Sequence, residues 1–305
     1  MCTYEEQCVM DLSDNYTLLY SFIGRELLDA FGKDGERVLR EGTRRYGHDR
    51  GEHSRKRHID LGVKINMKSL FSIGGDLPPD PRFRRDLQEL NSEERVSHTL
   101  VCPMADIWKA YGEREIGRIY CEEFHPACYN HYAYDYAHTN LAKTLTQEKD
   151  EYCAFNVVLR AENLPDHLKP MCFEEYDPGY VAPEITSKKA YGKSGFEALS
   201  IKLYYYLLEC AEESFDDRGC VAVESALRKI ANDARKRPTS MANHSIKQLL
   251  MTPTLSPLSL QNSGMNILVI WQKDAFSKFL FPKCFDSFRP MSITARACRQ
   301  CTLLS

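Results

Sequence analysis

The chain is 305 residues long, 43% hydrophobic and 27% charged, which suits one large globular domain or two small ones with room for a core. Forty basic against forty-three acidic residues leave a net charge of -3, so no global field draws nucleic acid or an anionic membrane, and a small-molecule substrate and a protein partner both stay open. No apolar run reaches the roughly 20 residues of a membrane span, and the stretch from Met1 to Cys8 lacks the basic and apolar regions of a signal peptide; a cytoplasmic protein is expected.

Leu18, Leu19, Phe22, Ile23, Leu27, Ala30 and Phe31, then Val38, Leu39 and Tyr46, recur at helical spacing. Gly32-Lys-Asp-Gly35 interrupts them, which predicts two helices joined by a tight turn, with Asp34 capping the second. Arg37, Arg40 and Arg44 share one face of that second helix, and Arg50 follows; such a face is equally explained by solvation. Acidic Glu36, Glu41, Asp49 and Glu52 interleave with these arginines, which ranks nucleic-acid contact last. Residues 76–92 read as a proline-punctuated connection leading to a strand over 95–101. Cys102 ends that strand, Pro103 suits the first helical position, and Asp106 lies about one turn after Cys102. The helix over 103–124 is expected to stop at Pro126, and 129–136 reads as loop or edge strand. Residues 141–146 and 151–159, around the polar turn 147–150, predict a β-hairpin. The class is α+β: a helix pair packed with a Cys-Pro helix and a small antiparallel sheet, closing near residue 160.

Residues 161–195 are rich in Pro and Gly and read as a linker or wrapping segment. A shift of 184 positions then aligns Leu19 with Leu203, Phe31 with Phe215, Gly35 with Gly219, Leu39 with Val223 and Arg44 with Arg228. This reads as an internal repeat of the helix pair over 196–237, with chance similarity between amphipathic helices as the alternative. The copy does not continue. Residues 238–305 look like a different sequence joined to a truncated repeat, an atypical tail expected to be poorly ordered. Losing the second unit's strands would bare an apolar helix face and favour a homodimer.

Twelve cysteines in a chain of this length do not form the dense framework of a small secreted domain, and most are expected to be reduced. Cys298-Arg-Gln-Cys301 has no second pair at zinc spacing. Cys102, Cys121 and Cys153, or two of them with His125, His131 or His138, would suit zinc by residue type, but their spacing is irregular. No cofactor is therefore expected, zinc being the open alternative.

Phe31-Gly-Lys-Asp-Gly35, Arg44-Arg-Tyr-Gly47 with Arg50-Gly51, Cys102-Pro-Met-Ala-Asp106-Ile-Trp108 with Gly112, Glu115, Gly117 and Tyr120-Cys121, and Lys143-Thr-Leu145 with Tyr152-Cys-Ala-Phe155 come in an order that resembles the L-2-amino-thiazoline-4-carboxylic acid hydrolase family over about residues 15–160. Lys149 and Asp150 stand where the family has a glycine before its last cysteine. The resemblance implies a hydrolase that opens a 2-aminothiazoline carboxylate to N-carbamoylcysteine. Attack at the amidine carbon needs a nucleophile and a proton donor for the departing atom. Cys102, at a helix start, is the candidate nucleophile, with Asp106 and Cys121 as catalytic partners. Arg44 and Arg50 are the candidates for a substrate carboxylate, and Trp108 for contact with the ring. The competing reading is packing for the cysteines and Trp108, and surface solvation for the arginines. A non-catalytic module that binds an acidic or thiol metabolite is the alternative function.

Overall fold

In the computed structural model, which describes residues 3–74, 77–185 and 195–236, the first amphipathic pattern is a helix, α1 (Tyr4–Phe31). A reciprocal cap starts it: the Thr3 hydroxyl accepts from the Glu6 amide while the Glu6 carboxylate accepts from the Thr3 amide. Gly32, at φ +58°, both ends α1 and opens α2 (Lys33–Asp60). Asp34, expected from sequence to cap α2, does not: Gly32 is the cap, and Asp34 lies inside the first turn, where its charge favours the helix dipole. Gly35 lets the two helices cross in contact, because a Cβ there would collide with the Leu27 carbonyl.

The chain then forms α3 (Met67–Ser72), β1 (Arg84–Leu90), β2 (Glu94–Val101), α4 (Pro103–Ala110), α5 (Arg114–Tyr132), β3 (His138–Lys143) and β4 (Cys153–Val158). The strands make one antiparallel sheet in the order β1-β2-β4-β3, which places the molecule in the α+β class. Two elements depart from the sequence expectation. β1 falls inside the supposed connection: its seven residues carry no apolar alternation and six are exposed, so backbone pairing with β2 defines this edge strand. Pro126 does not stop a helix. It sits within α5, whose Phe124, Ala127, Cys128 and Tyr132 are buried and outweigh the roughly 3 kcal/mol an internal proline costs. The break comes earlier, at Gly112 with φ +74° between α4 and α5.

α5 packs against α2 at glycine notches, since a Cβ on Gly51 would strike the Cys128 carbonyl. Between α1, α2 and α5 the Tyr16 hydroxyl bonds those of Tyr46 (3.0 Å) and Tyr120 (2.6 Å), satisfying three buried phenols. A second cluster joins Met67 and Leu70 of α3 to Tyr132, Val157, Leu159, Cys172 and Phe173. The last two belong to or follow α6 (Lys169–Cys172), so the segment after β4 wraps onto the core. α7 (Gly195–Phe215) and α8 (Asp217–Lys236) follow. Phe215 stacks on Phe31 with ring centres 3.7 Å apart, and a Cβ on Gly219 would meet the Ala211 carbonyl as one on Gly35 would meet that of Leu27. Both glycines and both phenylalanines are 184 positions apart. The tail over 238–305 lies outside the described residues.

Candidate active site

The alternation of β2 sets the site. Successive side chains of a strand point to opposite faces, and here Arg95, Ser97 and Thr99 form the buried face while Val96, His98 and Leu100 face outward. That is polar inside and largely apolar outside, the reverse of an ordinary half-buried strand. β4 adds Cys153, Phe155 and Val157 to the same inner face, opposite Thr99, Ser97 and Arg95 respectively. Against this face lies α5, on which Cys121, His125 and Tyr129 recur every four residues. The His125 ring meets Phe155 edge-on at 4.9 Å between centres, fixing the contact of helix and sheet.

The polar groups between them are under-satisfied. Ser97 Oγ and His125 Nδ1 are buried without a hydrogen-bond partner among the described residues. Arg95 is 8% exposed; its guanidinium stacks 4.2 Å from the Phe71 ring centre and 5.8 Å from that of Phe155, and no acceptor among the described residues receives its N–H groups. Each buried polar group left unpaired costs about 1–3 kcal/mol, and two of them, Ser97 Oγ on β2 and His125 Nδ1 on α5, lie where sheet and helix meet. β1 leaves the wall open: Arg85 and Leu87 pair with Thr99 and Ser97, which puts them on the inner face, yet both are exposed.

Thiols fill one end. Cys102 follows β2 directly and is the N-cap of α4. Burial pushes its thiol up to about 12, with the Cys153 sulfur adding to the rise and the Ala105 and Met104 amides and Arg85 opposing it. The residue as a whole is only partly buried. Burial, then Cys102 and Cys153, hold Cys121 well above the usual range against a hydrogen bond with Thr146. Cys153 is raised by burial too, and its Sγ accepts from the Leu145 amide at 3.3 Å. His125 goes the other way, pushed down to about 3 by burial and then by Arg95, Arg85 and Arg50, so its imidazole is neutral at physiological pH. Burial also lowers Arg95 from the usual arginine value.

The structure thus brings Cys102 and Cys121 together and adds Cys153. Asp106 is not with them: it is exposed on the outer face of α4, because the turn that follows Cys102 carries it away from the sheet. Arg44 bonds Glu123 at 2.7 Å and Glu41 at 3.0 Å and borders a surface pocket of about 260 Å³ with His48, Asn130 and Asp135. Its charge is spent on these carboxylates rather than in the recess. Arg50 is buried, its guanidinium 5.1 Å from the Phe124 ring centre, and it reaches the site through its field on His125. Trp108 is 1% exposed and packs on Tyr20, Tyr120 and the notch left by Gly117; it is a core side chain, not a wall of the recess. Among the described residues no three His, Cys, Asp or Glu side chains are grouped to hold a metal ion.

Sequence reasoning missed Arg95, Ser97 and the role of His125 here. The signal was present as a polar alternation, Arg95-Val-Ser-His-Thr99, but alternation does not say which face turns inward.

A helix trio and a four-stranded antiparallel sheet, with three thiols and unpaired buried polar groups where sheet and helix meet, define an α+β protein. Residues 15–157 match the model of the L-2-amino-thiazoline-4-carboxylic acid hydrolase family. No curated protein and no solved structure matches the chain. No helix among the described residues is long and apolar enough to cross a membrane.

Proposed function

We propose that the protein is a hydrolase that opens a cyclic amidine or thiazoline carboxylate, in the manner of 2-aminothiazoline-4-carboxylate going to N-carbamoylcysteine. The observation that carries this is that Cys121 feels the charge of Cys102 and lies one turn of α5 before neutral His125, all three within the family-matched segment. In the reaction, Cys102 Sγ attacks the amidine carbon as its proton passes to His125. The ring carbon–sulfur bond breaks, and Cys121, kept as a thiol by burial, protonates the departing sulfur. Water then attacks the same carbon, forms the urea and releases Cys102; one water is consumed overall.

The empty recess is not poised for the first step, since a thiol near 12 does not give its proton to an imidazole near 3. The substrate corrects both values. Its amidinium places a positive charge beside Cys102, and its carboxylate offsets the arginines that hold His125 down. Ionisation of Cys102 then waits for bound substrate. Asp106, exposed outside the recess, has no part in these steps.

Ring opening of 2-aminothiazoline-4-carboxylate, followed by release of free thiol, tests the reading: Cys102→Ala should abolish it, and undiminished turnover in that variant would end the assignment. The raised thiols also favour a second reading, a module that binds the acid without turning it over. Ligand-induced thermal stabilisation with no thiol release would favour that one.

A further inference from the structure

We propose that Arg95, with Ser97 and His125, forms a carboxylate-binding subsite on the inner face of β2, reached from beneath the uncovered edge strand β1. The assignment deepens the hydrolase reading and takes the rest of its substrate from it, but the subsite itself stands on the geometry of the recess.

Arg95 is buried, and its two aromatic neighbours contact the guanidinium as ring systems. Cation–π contact uses the charge and flat face of the group and does nothing for the N–H groups along its rim. Those N–H groups have no acceptor among the described residues, and a planar carboxylate is the partner that matches their fork with two parallel hydrogen bonds. Two residues along the same strand face, Ser97 Oγ is buried and lacks a partner, and across the recess so does His125 Nδ1. A hydroxyl and an imidazole N–H both donate to carboxylate oxygen, the first by rotation and the second in the tautomer protonated at Nδ1.

Electrostatics select the sign of the ligand. Arg95, Arg85 and Arg50 all act on His125, and no acidic side chain is among the groups that shift it. The arginines proposed from sequence do not compete for the role: Arg44 is bonded to Glu41 and Glu123 outside the recess. Access follows from β1, whose inner-face Leu87 is 54% exposed although it sits beside buried Ser97.

The test uses the full chain and three probes: 2-aminothiazoline-4-carboxylate, 2-aminothiazoline without the carboxylate, and inorganic phosphate, with affinity read by calorimetry. The acid should bind at least about tenfold more tightly than the neutral ring and than phosphate. Arg95→Gln should erase that preference; Ser97→Ala, a smaller change that keeps the fold by circular dichroism, should reduce it severalfold, and Cys102→Ala should retain it. Equal binding of acid and neutral ring by the wild type, or a preference undisturbed by both Arg95→Gln and Ser97→Ala, overturns the subsite. Acid-selective binding that depends on Arg95 without turnover leaves the subsite standing and removes the hydrolase; turnover with KM unchanged in Arg95→Gln does the reverse.

Discussion

Cys102 should be slow to alkylate in the resting protein, despite sitting at the start of a helix where a reactive thiol is usually sought. Burial lifts it from 9.0 to about 12, so at neutral pH its thiolate fraction is about a thousandfold below that of an unshifted cysteine. Small haloacetamides react with thiolates, which makes the rate a direct reading of that fraction. Peptide mass mapping at pH 7.5, with the same protein in denaturant as reference, should give a rate ratio for Cys102 of about three orders of magnitude. Adding 2-aminothiazoline without its carboxylate, a cation small enough to share the recess, should narrow the ratio. The same shift fixes a sign for stability. Because the folded thiol titrates higher than the unfolded one, its contribution is intact below pH 9 and is lost as pH rises toward 12, up to about 4 kcal/mol. A native Cys102 that alkylates as fast as the denatured reference would refute the low-dielectric recess, and with it the view that substrate charge controls the nucleophile.

His125 carries the opposite dependence: its folded value is depressed, so its contribution is complete above 6.5 and lost as pH falls toward 3, on the order of 5 kcal/mol. Urea titrations of wild type and His125→Gln across that window should differ in slope, the variant losing less stability per pH unit; parallel curves would place the imidazole in solvent. Gly51→Ala should cost about 1–3 kcal/mol despite the better helix propensity of alanine, because its Cβ meets the Cys128 carbonyl and α5 must move. An unchanged urea midpoint would mean that α2 and α5 are not in contact there. In the ring-opening assay, Asp106→Ala should stay within about threefold of wild type while Cys102→Ala falls by more than about a hundredfold. A large loss from Asp106→Ala would return that carboxylate to the site.

Legibility divided along physical lines. The helices around Leu18–Tyr46 and the hairpin through Cys153 announce themselves because each buries an apolar stripe whose period survives in sequence, and the strand before Cys102 because its two-residue alternation does. β1 does not, since an edge strand held by backbone bonds to β2 needs no apolar side chains, and Arg84–Leu90 has almost none buried. Pro126 misleads for the same reason in reverse: a local rule about N–H groups yields to packing on both sides of α5. At the site, Cys102 and Cys121 were legible as chemistry and Arg95 was not. Arginine on a strand reads as solvent-facing until the register with Val157 shows that its side of the sheet is the inner one.

The helix pairs explain why one recess suffices. α7–α8 repeats the crossing of α1–α2 at Gly219 and Phe215 and stacks on it through that phenylalanine, so equivalent positions meet across the contact. Flanking charges follow the same logic: Arg45 of α2 pairs with Glu209 and Glu213 of α7, while Lys229 of α8, 184 positions after Arg45, pairs with Glu26 of α1. Packed in this way, α7 and α8 cover an apolar helix face that α1 and α2 alone would leave bare. The polar recess needs more than the pair. It needs a strand that turns Arg95 inward, a Cys-Pro helix after it and a helix bearing His125, and these occur once among the described residues.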